Sequence, residues 1–463
     1  PTHHRHVALG QQEIMPKGND GRAKRKVLLK RVSYVVAACA AIILIVEVTG
    51  YGRRGDGSMR ARSGQSGGRG SRNDLVDGKN EIPDSLRRKA MRGDTFTDEA
   101  KVDLILSASV HLIAIDISGG PISVAGDEDS YDGGVMGEFC ALDWALHKAD
   151  PSSVPMFRDL VGKSQDCSNG SFRMDLKEVA KLARAHDNEA MRAAGGRVED
   201  AATRAMEPTG FVFHESRCGS TLAANTLAAM SPDSSRVYSE SPPPLKAMIA
   251  CGEAGEKCAG SIGSAAALLK DAVYMMGRTN DPEERHLFFK VQSIGTRFIK
   301  VFRRAFPDTP WIFVYRDPVQ VMMSHLDMPH MERANCVRPR ASPPNSVRDL
   351  VRSEGMKVSS LTHEEYCAAH LATICNSALA ELESSETGHA VNYNDIIDDL
   401  TTRVIPHHFK VPLNDQEIGR IMAISSKYSK GRGKGKQWEE DSERKDERAT
   451  DAIKKACEEF LEY

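Results

Sequence analysis

The sequence predicts an α/β fold in which a parallel β-sheet is flanked by helices, and three observations support this. From residue 208 onward, short apolar runs alternate with stretches that have helical spacing. The runs are continuously apolar, which is typical of strands that are buried on both faces of a parallel sheet. Polar, glycine-containing or proline-containing segments follow two of the runs directly, at the strand ends where such sheets bind their ligands.

The composition is that of a globular protein with room for more than one domain. The chain has 463 residues, of which 40% are hydrophobic and 27% are charged, and its formal net charge is −2. Proteins that coat nucleic acid carry a basic excess, so we expect no nucleic-acid partner. A near-neutral total still allows a local basic groove for a polyanionic substrate.

The first 80 residues predict a membrane-anchored arrangement. A polar tail (1–31) ends in a cluster of basic residues and is followed by an apolar stretch (32–51) whose first charge is Glu47. About 20 residues span a bilayer, and the basic flank places the tail in the cytosol, so we predict an uncleaved type II anchor. A cleaved signal peptide or a buried core helix is the alternative. Residues 52–80 are rich in Gly, Arg and Ser and predict a flexible stem.

Residues 81–206 predict an accessory region of mixed structure without a catalytic motif. We expect a helix that opens at Asp98, short strands within 110–124 and a helix over 176–194. Asn169 begins an Asn-Gly-Ser glycosylation sequon, which is usable only in a secretory compartment.

The chain has ten cysteines and no CxxC pair, which disfavours a zinc ribbon or a thioredoxin-like site. We expect no metal site. If the chain is lumenal, some cysteines form disulfides, and Cys251 and Cys258 are the nearest short-loop candidates, although connectivity cannot be read from sequence.

Residues 207–463 predict the α/β domain itself. The apolar runs predict strands over 210–213, 236–238, 286–291 and 311–315. The spacing over 296–305 predicts a helix with one apolar face.

The first motif with chemical content is Phe-His-Glu-Ser-Arg-Cys-Gly-Ser-Thr-Leu over 213–222, which follows the first strand. A helix that starts here offers free N–H groups and partial positive charge, and Gly219 lets the backbone close around an anion. Ser220 and Thr221 add hydroxyl donors, and Arg217 adds a charged fork. The segment predicts an anion cradle, but it is not a Walker A loop because GxxxxGK[ST] is absent.

The second motif, Tyr-Arg-Asp-Pro, follows the fourth strand directly. Arg316 stands at the strand end, Pro318 is suited to start the next helix, and Ser324 lies about two turns into it. A phosphate lying across that helix can meet both Arg316 and Ser324.

The two motifs in this order resemble the sulfotransferases that use 3'-phosphoadenylyl sulfate, and the resemblance covers about residues 208–436. It implies a P-loop NTPase-like sulfotransferase fold in which Arg316 and Ser324 hold the 3'-phosphate. Residues 390–396 resemble a later strand of the family, with Asn394 in place of its Glu. The basic, glycine-containing segment 428–438 resembles the loop that closes over the 3'-phosphate, and Lys434 is assigned to the cofactor there. The residues assigned to the 5' end of the cofactor are Arg217, Cys218, Gly219, Ser220, Thr221 and Leu222.

Sulfuryl transfer needs a base for the acceptor's proton and cations for the developing charge. Glu240, after the second strand, and Lys290, at the end of the third, resemble the catalytic Glu and Lys of the tyrosylprotein-type branch. We assign the catalytic role to Glu240, Lys290 and Arg217, with His214 as the rival base.

The resemblance therefore predicts an enzyme that transfers a sulfuryl group from 3'-phosphoadenylyl sulfate to a hydroxyl or amine, without a metal. Tail, anchor, stem and globular domain together are the arrangement of a Golgi type II membrane protein with a lumenal catalytic domain. The alternatives are a non-catalytic module that binds nucleotide or a sulfated glycan, and a P-loop kinase, which the missing Walker lysine disfavours. The acceptor, whether carbohydrate, protein or small molecule, is left open, and we expect it to contact the segments 247–280 and 328–362.

Overall fold

The computed structural model describes residues 97–117, 122, 130–131, 134–252 and 262–461. The predicted tail, anchor and stem lie outside these residues, and so does the beginning of the accessory region. Within the described ranges, no helix is both long enough and apolar enough to cross a bilayer.

The described residues form ten strands and sixteen α-helices, with short 3₁₀ turns and one π-helix between them. The strands are β1 His111–Asp116, β2 Met136–Cys140, β3 Phe172–Asp175, β4 Arg204–Ala205, β5 Pro208–His214, β6 Ser235–Ser239, β7 Arg278–Thr279, β8 His286–Lys290, β9 Trp311–Tyr315 and β10 Gly388–Asn392. The helices up to the centre of the chain are α1 Asp98–Leu106, α2 Trp144–Ala149, α3 Phe157–Lys163, α4 Gln165–Gly170, α5 Leu176–Ala193, α6 Ser220–Met230, α7 Pro242–Ile249 and α8 Gly263–Gly277. The remaining helices are α9 Ile299–Ala305, α10 Pro318–Leu326, α11 Asn345–Ser353, α12 His363–Leu382, α13 Ile396–Asp399, α14 Asp415–Ser425, α15 Ser442–Arg448 and α16 Asp451–Phe460.

The central sheet has five strands in the order β10-β9-β5-β8-β6, and every neighbouring pair is parallel. This confirms the predicted α/β class with a parallel sheet flanked by helices. Strand β5 lies at the centre, and the later strands β8 and β9 are added on opposite sides of it. A sheet of this kind binds ligands in the crevice at the carboxyl ends of its strands, where the chain turns to either side.

Aromatic side chains on the strands account for much of the core. Phe211 stacks on Phe289 with ring centroids 5.0 Å apart and meets Phe302 of α9 at 4.4 Å. On the same layer, Tyr238 stacks on Phe289 at 5.3 Å. Each buried aromatic of this size contributes roughly 1.5–3 kcal/mol relative to exposure, so this cluster fixes the register of β5, β6 and β8.

The helix that follows β5 is embedded in the protein. Every residue of α6 is buried, and the helix packs between β6 and α14. Such a helix has no solvent-facing side, so its amino terminus is held in one place relative to the sheet. That terminus forms the last part of the first anion-binding motif, residues 213–222.

The described part of the accessory region, from residue 97 to residue 206, packs against the carboxyl-terminal half of the chain. Its strands form an antiparallel sheet in the order β1-β2-β3. The indole of Trp144 in α2 meets Tyr238 of β6 edge-on at 5.1 Å, and Lys246 of α7 donates to the carbonyl of Ile115 at 2.9 Å. The mixed structure predicted for this region is therefore a small sheet with helices.

Three sequence predictions differ in detail from the structure. The helix predicted over 176–194 is α5, which ends one residue earlier. The predicted 296–305 helix begins as a 3₁₀ turn, Ser293–Phe298, and becomes α-helical only from Ile299, because Phe298 leaves helical geometry at φ −114°. Of the strands expected within 110–124, β1 is present, and most of the rest of that range lies outside the described residues.

Two disulfides are described, Cys140–Cys167 and Cys336–Cys367. Cys251 is also disulfide-bonded, while Cys258, its predicted partner, lies outside the described residues. The side chain of Asn169, which carries the predicted glycosylation, is likewise outside them.

Candidate functional site

The loop between β5 and α6 has an unusual backbone. Ser216, Arg217 and Gly219 all have positive φ values, of 91°, 59° and 85°. In a turn with such residues, successive backbone N–H groups can point toward one side, which is the arrangement of an anion-binding concavity. At Gly219 a Cβ atom would also collide with the ring of Tyr393, so this position requires glycine.

The side chains of this loop divide into two groups. Arg217 is exposed, whereas Ser220 and Thr221 lie in the buried first turn of α6. Cys218 is buried, and its thiol donates to the carbonyl of Val314 at 3.1 Å. Burial and the nearby Glu215 raise the pKa of Cys218 to about 12, so the thiol anchors the loop to β9 and is not a nucleophile. Leu222 is buried in the hydrophobic core under the loop.

The second motif is joined to the first through Glu215. The buried carboxyl of Glu215 accepts the backbone N–H of Arg316 at 2.5 Å, although the two residues are 101 positions apart. Its other oxygen accepts the thiol of Cys375 at 3.4 Å. Burial raises the pKa of Glu215 to about 8. Sequence analysis gave Glu215 no role, since its partner is distant in the chain.

Arg316 is buried, and its guanidinium donates to three protein groups through Nε and Nη2. Nε donates to Gln320 at 2.8 Å, and Nη2 donates to Asp441 and to Ser442, both at 2.8 Å. The guanidinium lies 4.1 Å over the ring of Tyr393. The adjacent Asp317 instead caps α10, accepting from the backbone N–H groups at its first turn.

Ser324 lies on α10, as predicted, and is half-buried. Its hydroxyl donates to the carbonyl of Gln320 at 2.9 Å, one turn earlier in the helix. Ser324 and Gln320 thus lie on the same helix, and the side-chain amide of Gln320 holds Arg316.

Tyr393 connects the two motifs to the basic loop. Its ring covers Gly219 and stacks under Arg316, and its hydroxyl accepts the indole N–H of Trp438 at 3.3 Å. Tyr393 follows β10 directly, at the carboxyl edge of the sheet. The sequence indicated a family-like strand here but did not identify Tyr393 as the shared contact.

Glu240 and Lys290 meet at the same edge of the sheet. Glu240 follows β6 with a φ of 58°, and its backbone N–H donates to the carbonyl of Lys290 at 2.7 Å. The fully buried Lys290 ammonium donates to Oε1 of Glu240. The two catalytic candidates are thus brought together because β6 and β8 are neighbours in register.

The charge of Glu240 is set by its neighbours. Burial on its own would raise the pKa of this carboxyl, but the adjacent Lys290 ammonium lowers it to about 2. The carboxylate is therefore ionised at neutral pH while Lys290 is beside it.

His214 ends β5, and its Nε2 lies 3.8 Å from Oε1 of Glu240. Burial and the charge of Lys290 lower the pKa of His214 to about 3, so the ring is neutral and this contact is not an ion pair. Its Nδ1 accepts the backbone N–H of Ser216 at 3.1 Å, which leaves the proton on Nε2. A ring whose accepting nitrogen is already occupied is a poor general base, and this disfavours His214 in that role.

The basic loop brings Lys430 to the centre of the site, whereas Lys434 is exposed. Asn225 of α6 donates to the carbonyl of Ser429 at 2.9 Å, which holds the loop against the first motif. Burial and the charge of Lys290 lower the pKa of Lys430 to about 8. The sequence selected Lys434 from a run of similar residues, because the spacing of glycines and lysines does not show which of them faces inward.

The loop also contacts the accessory region. The backbone N–H of Arg432 donates to Ser152 at 2.9 Å, and its guanidinium meets Asp159 at 3.2 Å. The accessory region therefore supports the loop that carries Lys430.

A group of buried polar side chains lies beside this centre. His325 of α10 and His370 of α12 are both buried, and each has a ring nitrogen without a hydrogen-bond partner among the described residues. Burial and the charges of Arg217 and Lys430 lower the pKa of His325 to about 4. The charges that act on these rings come from cations, which makes this side of the site electropositive.

No metal-binding cluster of His, Cys, Asp or Glu is present in the described part of the chain. The groups that converge instead are N–H donors, hydroxyls and cations: Lys290, Lys430 and Arg217 lie around the carboxylate of Glu240, and Arg316 lies beside them with Asp441 on its guanidinium. Such a set binds a ligand with more than one anionic group and can accept one proton.

Comparisons with known proteins leave the family open at the level of sequence. Neither protein-family models nor curated proteins give a match. Solved structures that the chain is similar to include the sulfotransferase domain of the Synechococcus PCC 7002 olefin synthase, with 15% identity over 56% of this chain and 96% of that chain and a TM-score of 0.31. The sulfotransferase domain of the curacin biosynthetic pathway has 13% identity over 56% of this chain and 99% of that chain, with a TM-score of 0.30. Sulfotransferase STF9 of Mycobacterium avium has 14% identity over 66% of this chain and 88% of that chain, with a TM-score of 0.35. At this level of similarity, the function must rest on the geometry of the site itself.

Proposed function

We propose that this protein is a sulfotransferase that moves a sulfuryl group from 3'-phosphoadenylyl sulfate to a hydroxyl or amine of an acceptor. The observation that carries the proposal is the joining of two anion-binding motifs through Glu215 and Tyr393, beside the Glu240–Lys290 pair. A co-substrate with an anionic group at each end of a nucleoside matches two such motifs.

In the proposed complex, the β5–α6 loop holds the 5' end of the co-substrate through its backbone N–H groups, Ser220 and Thr221. Arg316 holds the 3'-phosphate together with Ser324 of α10, the helix that begins two residues after Arg316. Tyr393 lies between the two motifs, where it limits the space for the nucleoside.

The proposed reaction is an in-line transfer. The acceptor oxygen forms a bond to sulfur while the bond between sulfur and the bridging phosphate oxygen breaks, which leaves adenosine 3',5'-bisphosphate. The acceptor's proton passes to Glu240. Lys290, Lys430 and Arg217 stabilise the negative charge on the sulfuryl and leaving oxygens.

The low pKa of Glu240 has a consequence for this step. A carboxylate with a pKa of about 2 is ionised but is a weak base. If Lys290 turns from Glu240 to a sulfuryl oxygen, the carboxylate loses the partner that lowers its pKa. Glu240 then becomes a stronger base at the time when the proton is released.

The acceptor is proposed to approach over the segment 328–362, where we expected acceptor contacts. A cavity of about 620 Å³ lies there, and its lining includes Arg348, Arg352 and Lys357. With the electropositive side of the site around His325, these cations favour an anionic acceptor.

The direct test is transfer of labelled sulfate from 3'-phosphoadenylyl sulfate across an acceptor panel that pairs anionic and neutral forms of each acceptor. We expect labelled product, and we expect adenosine 3',5'-bisphosphate to inhibit its formation. Binding of the bisphosphate without turnover on any acceptor would favour the non-catalytic module. Binding of ATP with magnesium, but not of the bisphosphate, would favour the kinase.

We also propose that the protein is a Golgi type II membrane protein with a lumenal catalytic domain. The basic run before the apolar stretch 32–51 supports this, and so do the two described disulfides, which persist in oxidising compartments. Protease treatment of sealed microsomes should leave the domain from residue 208 onward intact. Its digestion without detergent would contradict the type II arrangement.

A further inference from the structure

The segment that follows the basic loop lies directly on Arg316. Asp441 and Ser442 contact its guanidinium, and Asp446 accepts from Gln320 at 3.0 Å. Further along α15, Arg448 donates to Asp327 at 2.9 Å. None of the seven residues of α15 is buried, so these contacts between α15 and α10 are polar. Contacts of this kind can be exchanged for those of another anion, because no apolar packing holds α15 in place.

The carboxylate of Asp441 accepts the hydrogen bonds that a phosphate at this position would accept. One oxygen accepts from Arg316 at 2.8 Å, and the other accepts from Lys445 at 2.7 Å. The hydroxyl of Ser442 also lies within 2.8 Å of the same guanidinium nitrogen. Although burial opposes it, hydrogen bonds from Lys445 and Arg316 hold the pKa of Asp441 below its usual value, so the group is an anion.

We propose that Asp441 occupies the place of the 3'-phosphate in the unliganded protein, and that the nucleotide binds by displacing it. Arg316, Lys445 and Ser442 then hold the phosphate together. The inference rests on the proposed function, which assigns the 3'-phosphate to Arg316. It adds Ser442 and Lys445 of α15 as ligands of the 3'-phosphate, and Asp441 as an internal anion that competes with the co-substrate.

The competing carboxylate explains how a buried Arg316 is kept in place before the co-substrate arrives. An arginine that is 6% exposed and has no anionic partner is costly. Asp441 supplies that partner, and a phosphate with two negative charges replaces it because it meets both cations more strongly. The exchange needs only that α15 shift from its polar contacts, while α16 remains anchored by buried residues such as Ile453 and Phe460.

The test is calorimetric binding of adenosine 3',5'-bisphosphate and of adenosine 5'-monophosphate, which lacks the 3'-phosphate. Asp441→Asn should strengthen binding of the bisphosphate roughly two- to fivefold, the scale of a lost competing ion pair. Binding of the monophosphate should not change, because the monophosphate has no group that competes with Asp441. Glu443→Gln is the matched control: it removes the same charge from an exposed position in α15 and should affect neither ligand.

Lys445→Met tests the second half of the proposal and should weaken binding of the bisphosphate alone. If the wild-type protein prefers the bisphosphate but Asp441→Asn leaves that preference unchanged, the inference fails while the proposed function stands. Equal strengthening for both nucleotides would likewise overturn it. A wild-type protein that binds neither nucleotide would overturn the proposed function, and this inference with it.

Discussion

Replacement of Glu240 by Gln tests the chemical step most directly. The amide keeps the shape of the side chain but cannot accept the acceptor's proton at neutral pH. Loss of a general base typically lowers the turnover number about 100- to 10,000-fold. Cofactor affinity should stay within a few-fold, because the two anion-binding motifs hold the nucleotide.

The structure adds a second effect of the same change. Lys290 is fully buried and Glu240 is its counter-ion, so Glu240→Gln leaves a buried ammonium without a negative partner. Breaking a buried pair in this way costs about 3–5 kcal/mol. Because the Glu240 side chain is 20% exposed, we expect a loss of folding free energy near the lower limit, about 3 kcal/mol.

The double variant Glu240→Gln/Lys290→Met separates the two effects. It removes both charges, so it should recover most of the lost stability, while turnover should remain as low as in the single variant. Urea denaturation and single-turnover sulfate transfer measure the two quantities independently.

The outcome that refutes the assignment is a Glu240→Gln variant with near-normal turnover. If His214→Ala then abolishes transfer, His214 is the base despite its occupied Nδ1. If both variants remain active, the base lies on another segment. Recovery of turnover in the double variant would show that the loss in Glu240→Gln came from the unpaired Lys290, and not from a missing base.

Three further predictions follow from the charges in and around the site. Arg316→Ala should weaken binding of adenosine 3',5'-bisphosphate by about 1.5–3 kcal/mol and of adenosine 5'-phosphosulfate much less, and equal losses would contradict its role at the 3'-phosphate. Since the pKa of Lys430 is about 8, kcat/KM should fall as the pH rises above about 8. Lys430→Arg should move this fall in kcat/KM to higher pH, because arginine stays charged there. A fall at the same pH in the variant would exclude Lys430 as its source. Burial lowers the pKa of five histidines from 6.5 to about 3 or 4, so below pH 6.5 the unfolded chain binds protons that the folded chain does not. The free energy of unfolding measured in urea should therefore fall between pH 6.5 and pH 4, by up to about 1.4 kcal/mol per pH unit for each ring. An unfolding free energy that does not change over this range would contradict the prediction. These histidines are His111, His147, His214, His325 and His370.

The sequence alone determined the α/β class, the strands of the central sheet and the place of both anion-binding motifs. The physical reason is that these features are local. A continuous apolar run indicates a buried strand, and Gly219 with two hydroxyl residues at a helix start indicates an anion cradle without knowledge of the rest of the chain. The same local pattern indicated Glu240 and Lys290 as residues at strand ends, and their catalytic roles remain predictions.

Only the tertiary structure decided which residues meet. Strand order brings the ends of β6 and β8 together, so Glu240 contacts Lys290 fifty positions away. Long-range contacts likewise join Glu215 to Arg316 and Asp441 to the same arginine. In the basic loop, the choice of Lys430 over Lys434 depends on how the loop packs on α6, through the bond from Asn225 to Ser429. Residue spacing contains no information on such packing, because the partner that sets the orientation lies about two hundred residues earlier in the chain.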